Sequence, residues 1–152
     1  MPRSSIDQQA ALDRVLHLAA LIDDDMTHGL EAMGLTKARV GVVWLVHQQG
    51  PRTQRELAEA LSVSPRNVTG LVDALVATGF VTRAPHPHDR RSTLVTPTVH
   101  GRTVGDDLAA GRAQFAEALF ADLSDRRFDA IVSGLDALLE RLPVVLAQEV
   151  SR

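Results

Sequence analysis

The chain has 152 residues, of which 45% are hydrophobic, so it is long enough for one domain with its own core. It contains no cysteine, which excludes disulfides, thiolate metal sites and thiol redox sensing. No apolar run reaches the roughly 18 residues of a membrane span, and the N-terminus lacks the apolar core of a secretory leader, so we expect a cytoplasmic protein without a membrane segment.

The first third of the chain predicts two helices. Residues 6–33 place apolar side chains at spacings of three and four, which is typical of an amphipathic helix, and Gly34 follows them. A second helix is predicted from Thr36 to about Gln49, before the helix-breaking pair Gly50-Pro51.

A pair of short helices is predicted next. Thr53 and Glu56 have the spacing of a capping box, which begins a helix over 54–61. After a turn, Ser64 as N-cap and Pro65 as first residue begin a helix over 65–78, which ends at Gly79. The side chains that we expect to be buried on this pair are Leu57, Ala58, Leu61, Val68, Leu71, Val72, Leu75 and Val76.

A β-hairpin and two long helices complete the predicted order. Residues 80–83 and 92–96 alternate as two strands, and the loop 84–91 contains two prolines. Helices are predicted over 99–121 and from Ser124 onward, with a kink at Pro143. The fold class predicted is mainly α with a small β-wing, a winged helix-turn-helix.

Charge is distributed unevenly along the chain. The segment from Arg52 to Arg102 holds seven arginines and four acidic residues, whereas the remainder holds nine basic and fifteen acidic residues. The excess of positive charge therefore lies on the helix pair and the hairpin, where contact with phosphate is predicted.

The second helix of the pair is predicted to lie in the major groove of duplex DNA. Arg66 suits guanine and Asn67 suits adenine, while Thr69 can offer a hydroxyl to phosphate or a methyl to thymine. Gly70 would allow close approach of the DNA backbone. The helix N-termini favour phosphate and add Thr53, Gln54, Ser64 and Pro65 to the predicted interface.

The hairpin carries Arg90 and Arg91 at its tip, and an arginine there suits a narrow minor groove. Asp73 and Asp89 are predicted to anchor the wing, with Arg91 pairing with one of them while Arg90 reaches out. The first, fifth and sixth helices carry more apolar surface than a small central module can cover, which predicts a two-fold homodimer.

The residues Glu56-Leu57-Ala58, Val68-Thr69, Gly79-Phe80-Val81 and Asp89-Arg90-Arg91, followed by Thr98 and Gly101, resemble the MarR (multiple antibiotic resistance regulator) family of winged helix-turn-helix proteins. The resemblance covers the whole chain in helix order. Pro97 departs from the family's usual leucine, so we expect the second wing strand to end early or to lie at an edge.

The resemblance implies a dimeric regulator, usually a repressor, that binds a pseudo-palindromic operator in double-stranded DNA. It implies dimerisation helices in 1–35 and 99–152 around a DNA-binding lobe in 36–98. It also implies that a small aromatic or lipophilic effector binds near the dimerisation helices and releases DNA. His17, Trp44 and His47 are the candidate effector-binding residues, and the alternative for Trp44 and His47 is a place in the core.

Two other functions remain open at this point. A winged-helix module that binds protein instead of DNA would use the same basic surface against an acidic partner. A metal site is a further possibility, because the chain has six histidines and the run Asp23-Asp24-Asp25. However, no two histidines lie four residues apart on one helix, and a solvated helix face explains the aspartates better. No cofactor and no catalytic motif are predicted, so the chain is not expected to be an enzyme.

Overall fold

The computed structural model describes residues 5–150, with side chains through residue 148. The first four residues, and with them the outer ends of the predicted ranges 1–35 and 99–152, lie outside this part. The elements in chain order are α1 (Ser5–Ala32), α2 (Lys37–Gln49), β1 (Arg52–Thr53), α3 (Gln54–Leu61), α4 (Pro65–Ala77), β2 (Val81–Pro85), β3 (Thr93–Pro97), α5 (Val99–Phe120) and α6 (Asp125–Val150).

The fold class is confirmed, as a mainly helical chain with a three-stranded antiparallel sheet. The local signals for helix ends are present as side-chain hydrogen bonds. The hydroxyl of Thr36 accepts the Arg39 N–H, and that of Ser64 accepts the Asn67 N–H. Both halves of the Thr53–Glu56 capping box form. At the other end of the chain, α6 continues past Pro143.

The sheet has the order β1-β3-β2 and corrects the expectation for Pro97. β3 is central and keeps Pro97 as its last residue, opposite Val81. Next to this pair, the Thr98 N–H donates to the Phe80 carbonyl oxygen at 3.1 Å. Hydrogen-bonded and non-hydrogen-bonded pairs alternate along an antiparallel ladder, so the Pro97–Val81 pair falls at a position where no bond to β2 is made. The missing N–H of proline therefore costs this ladder nothing, and the strand does not end early.

β1 was not predicted from the sequence. Its two residues pair with β3, with Arg52 opposite Val95 and Thr53 opposite Leu94. The pairing holds the start of α3 against the wing. Two residues are too few to show the alternation by which a strand is recognised in a sequence.

The core lies in and around the helix-turn-helix. In the described residues, every buried hydrophobic side chain falls between Leu30 and Val104, and no charged side chain is buried. Val68, Val72 and Leu75 of α4 are buried as predicted. Val76 is 37% exposed, which corrects that prediction, because the next positions of α4 turn away from the core.

The chain divides into two compact units, the first through Asp107 and the second from Leu108. In the second unit the apolar residues of α6 are exposed along most of its length, including Leu135, Leu138 and Leu139. In the first unit, α1 exposes Leu12 and Leu16 in the same way. No helix in the described part combines the length and apolarity needed to cross a bilayer.

Candidate nucleic-acid interface

The outer face of α4 presents the residues predicted to read bases. Arg66, Asn67, Thr69 and Gly70 are all exposed on the first two turns of this helix. Ser64 fixes the helix start, because its Oγ accepts the N–H of Asn67 at 3.1 Å. The side chain of Asn67 is therefore displayed from a well-defined backbone, as base readout requires.

α3 and α4 meet across an open groove whose lining includes Gln54, Pro65 and Thr69. The Thr69 hydroxyl donates to the Pro65 carbonyl at 2.8 Å and lies 3.3 Å from Gln54 Oε1. Its single hydrogen is thus engaged within the protein. This favours the methyl group of Thr69, rather than its hydroxyl, as the group offered to DNA.

Gly70 has no internal reason to be glycine. A Cβ at this position would meet nothing within 4 Å, and Gly70 is not among the residues with positive φ. A glycine in an exposed helix costs about 1 kcal/mol relative to alanine. The space is therefore open to an external partner that approaches the backbone of α4.

The wing is anchored differently from the sequence-based expectation. Asp73 of α4 pairs with Arg83 of β2, so the predicted pairing of Arg91 with Asp73 is not made. Asp89 acts through the backbone instead, because its Oδ1 accepts the N–H of Arg91 at 2.9 Å. The two aspartates thus hold the base and the tip of the wing, and neither occupies the guanidinium group of Arg91.

The seven arginines between Arg52 and Arg102 fall into two groups. Four of the guanidinium groups have partners in the chain: Arg52 with Glu56, Arg55 with Glu59, Arg83 with Asp73, and Arg102 with the Pro97 carbonyl. The guanidinium groups of Arg66, Arg90 and Arg91 make no hydrogen bond or ion pair with any residue in the described range 5–148. They are exposed, and they are the three arginines predicted to contact DNA.

The rim of the interface is fixed by the capping box of α3. Glu56 Oε2 accepts the Thr53 backbone N–H at 2.8 Å and its hydroxyl at 2.9 Å. The backbone N–H of Thr53, and then its hydroxyl, hold the pKa of Glu56 below its usual value, with Arg52 and His86 adding smaller attractions. Thr53, half-buried, therefore holds α3 in place, while Gln54 lines the groove.

The three candidate effector residues lie on α1 and α2. His17 is exposed on α1. Trp44 and His47 of α2 stack with ring centroids 6.1 Å apart. His47 Nε2 lies 2.8 Å from Asp106 Oδ1, and Gln48 Nε2 lies 3.3 Å from its Nδ1. Both ring nitrogens of His47 thus have protein partners, which the sequence did not show.

The histidines at the wing contact each other. His88 donates its backbone N–H to His86 Nδ1 at 3.1 Å, and the two rings meet edge to face. No group of three or more histidines, cysteines and carboxylates that could hold a metal ion occurs among the described residues.

The exposed helix α4 has a fixed start, the wing is held beside it, and three arginines of the segment 52–102 have no partner within residues 5–148. These are the features of a winged helix-turn-helix of the DNA-binding class. The model of the MarR family matches residues 35–93. The transcriptional repressor YetL of Bacillus subtilis is 30% identical over 124 residues, which are 78% of this chain and 72% of YetL. The chain therefore belongs to the MarR family, whose members are DNA-binding transcriptional regulators and not enzymes.

The chain is also similar to another transcriptional regulator in sequence and to a solved DNA complex in fold. The transcriptional activatory protein BadR of Rhodopseudomonas palustris is 34% identical over 111 residues, which are 70% of this chain and 63% of BadR. The structure of FabT from Streptococcus pneumoniae in complex with DNA has a TM-score of 0.77 at 16% identity, covering 93% of this chain and 99% of that one. The second match concerns the fold alone.

Proposed function

We propose that the chain is a homodimeric repressor that binds a pseudo-palindromic operator through α4 and the wing, and that a small aromatic or lipophilic effector releases it. The observation that carries DNA reading is the division of the arginines. A guanidinium group that is paired within the protein has less to offer phosphate or guanine. Only Arg66, Arg90 and Arg91 are unpaired in the described residues of this segment, and they lie on α4 and the wing tip.

The remaining interface residues support the same reading. Asn67 and the Thr69 methyl are presented for base edges, and Gly70 leaves room for the DNA backbone. Gln54 and Pro65 line the groove between α3 and α4, and Ser64 caps the start of α4, where a helix N-terminus favours phosphate. Thr53 contributes by fixing the start of α3.

The homodimer is supported by the apolar residues exposed on α1 and α6. Along α6, residues Phe128, Ile131, Leu135, Leu138 and Leu142 recur at spacings of three and four, and each is at least 38% exposed. A continuous apolar stripe of this length marks an interaction surface. A second copy of the chain supplies the same stripe, and two-fold symmetry matches an operator with two related halves.

Repression and effector release are the finer parts of the proposal. YetL is a repressor by name, whereas BadR is an activatory protein, and the greater coverage of YetL favours repression. Trp44, half-buried and stacked on His47, and His17, with its exposed imidazole, are the side chains proposed to contact an aromatic effector. An effector that lowers the affinity for DNA must itself bind less tightly to the DNA-bound form. A regulator of this kind works where DNA is, which for this chain we take to be the cytoplasm.

The experiment that tests the proposal is selection of bound sites from a pool of random duplexes with the full chain at moderate salt. We expect enrichment of two inverted half-sites whose centres lie about 10–10.5 base pairs apart. Aromatic carboxylates and phenols, added as a panel to the selected complex, should include compounds that release it.

Failure to enrich any duplex would contradict DNA reading and favour the alternative, a winged-helix module whose unpaired arginines meet an acidic protein. Enrichment of a single half-site without a second would contradict the dimer. A complex that no compound in the panel weakens would leave DNA reading intact and contradict release by an aromatic effector.

A further inference from the structure

The wing loop between β2 and β3 begins with hydrogen bonds that involve His86. The backbone N–H of His86 donates to the Ser92 carbonyl at 3.1 Å and closes the base of the loop. Pro85 and Pro87, on either side of His86, have no N–H to donate. The next donor along the chain is the backbone N–H of His88, and it binds Nδ1 of the His86 ring at 3.1 Å. His86 thus takes part in the hydrogen bonds of both backbone donors within residues 85–88.

The bond to the His86 ring makes a turn in which a side chain accepts the N–H two residues further on. Asparagine and aspartate often form turns of this kind. The second half of the loop contains one, because Asp89 Oδ1 accepts the Arg91 N–H at 2.9 Å. The two turns follow each other directly, at residues 86–88 and 89–91. The turn at His86 therefore sets the direction in which the chain enters the turn that carries Arg90 and Arg91.

His86 is less exposed than the tip of the loop that it begins. It is half-buried, whereas residues 87–91 are all exposed. Its ring meets that of His88 edge to face, with centroids 6.3 Å apart. It is also within electrostatic reach of α3, because it adds to the lowering of the Glu56 pKa that the Thr53 hydrogen bonds and Arg52 produce. The ring therefore lies on the side of the loop toward α3 and not with the solvated tip.

We propose that His86 is a positioning residue for DNA binding, whose neutral ring holds the wing loop in the form that presents Arg90 and Arg91. The inference rests on the DNA binding proposed above and adds a residue that acts without touching DNA. A ring nitrogen accepts a hydrogen bond only when it carries no proton, so the proton of the neutral ring is on Nε2. A second proton would go to Nδ1 and remove the acceptor for the His88 N–H.

The first test titrates the selected operator with variants of the full chain at a pH of about 7.5, where histidine is mostly neutral. His86→Ala removes the acceptor and should weaken binding about fivefold, which is the effect of losing one ordinary hydrogen bond. His86→Asn should stay within about twofold of the wild type, because an asparagine side chain accepts the same N–H two residues on. His88→Ala is the matched control and should also stay within about twofold, because it removes only an exposed ring and keeps the backbone N–H.

A second test separates positioning from direct contact with DNA. If His86 acts through the two arginines, His86→Ala should have no further effect in protein that already carries Arg90→Ala and Arg91→Ala. A residue that touches DNA itself would instead lower the affinity by the same factor in both backgrounds.

A third test uses acid, because the amide of asparagine has no proton to gain. Histidine ordinarily changes charge between about pH 5 and 8. Acidification from about pH 7.5 to about pH 5.5 should therefore cost the wild type about fivefold in operator affinity relative to His86→Asn, as Nδ1 is protonated and the His88 N–H loses its acceptor.

Each outcome decides the matter. Unchanged affinity of His86→Ala, or an asparagine variant as weak as the alanine variant, would overturn the positioning role and leave the proposed function standing. The full loss in the background without both arginines would do the same, as would a wild type that keeps or gains affinity relative to His86→Asn in acid. Wild-type protein that binds no duplex would overturn both proposals. If His86→Ala does not fold, the comparison of wild type with His86→Asn in acid carries the test.

Discussion

The helix-turn-helix lobe and the helix α6 use similar apolar residues to different ends. The lobe buries Val68, Val72 and Leu75 of α4 completely or nearly so. Along α6, Leu135 and Leu139 are 46% and 67% exposed. The lobe therefore buries its apolar side chains within one chain, whereas α6 carries exposed apolar side chains that only another surface can cover.

This difference separates the two tasks of the protein. A lobe with its own core can present Arg66 and Asn67 rigidly, and this does not depend on a partner. In the proposed homodimer, the uncovered apolar stripe of α6 is the surface that would join two copies of the chain. Changes in α6 should therefore affect assembly first and DNA second, while changes in the lobe should affect DNA and leave assembly unchanged.

The largest effect is expected from a charge placed in the apolar stripe of α6. Leu135→Glu would bury a carboxylate in the proposed dimer interface, which costs several kcal/mol. We expect dimer dissociation to rise at least hundredfold, with loss of operator binding, as measured by sedimentation and by duplex titration. Ser133→Glu places the same charge off the stripe and should remain dimeric. A dimeric Leu135→Glu protein would refute this assignment of the interface.

The next effect is expected from the pair that joins the wing to α4. Arg83→Met leaves the Asp73 carboxylate without its partner on the face that is proposed to meet phosphate, so operator affinity should fall about tenfold. The free energy of unfolding should change by less than about 1 kcal/mol, because the side chains of Arg83 and Asp73 are partly exposed. The double variant Arg83→Met with Asp73→Asn should recover part of the affinity. No recovery would mean that Arg83 itself contacts DNA.

A smaller effect is expected at Gly70, where a substitution should raise the stability of the fold but lower the affinity for the operator. Gly70→Ala should stabilise the fold by about 0.5–1 kcal/mol, because alanine favours the helix and its Cβ meets nothing. The same methyl should weaken operator binding about fivefold by obstructing the DNA backbone. Gly29→Ala, at an equally open helical position in α1, should stabilise without changing DNA affinity. Unchanged DNA affinity of Gly70→Ala would place DNA away from this part of α4.

The smallest effect concerns pH and the capping box. The Thr53 N–H keeps the pKa of Glu56 low in the folded state, so its ionised form stabilises α3 above the unfolded pKa of about 4.3. This stabilisation is lost as pH falls through the lowered folded pKa. Wild type should exceed Glu56→Gln by about 0.5 kcal/mol in free energy of unfolding at pH 7, and this difference should shrink as pH falls through the lowered folded pKa of Glu56.

Glu59→Gln, on the same helix but outside the box, is the control for this measurement. A difference between wild type and Glu56→Gln that does not shrink as the solution is acidified would show that the carboxylate charge has no part in the cap.

The order of the helices was predictable because residues close in sequence to each helix end determine where that helix begins or stops. Thr53, Ser64 and Gly79 each act within a few residues, through a cap or a positive φ, and the structure places each where the sequence indicated. The pairings across the fold were not predictable in this way. Asp73 and Arg83 are 10 residues apart, and His47 and Asp106 are 59 apart. No local spacing specifies such a pair, because many other charged residues were equally available.

We propose that Arg66, Arg90 and Arg91 hold DNA, and the dependence of operator binding on salt tests this most directly. Arg66→Ala, Arg90→Ala and Arg91→Ala should each weaken binding while the protein stays dimeric. Log affinity falls as log salt rises, and each phosphate contact that is lost should make this slope less steep by about 0.9. Lys37→Ala, whose ammonium group is paired with Asp23, should keep the wild-type slope. Wild-type slopes and affinities in all three arginine variants would show that these arginines do not hold DNA.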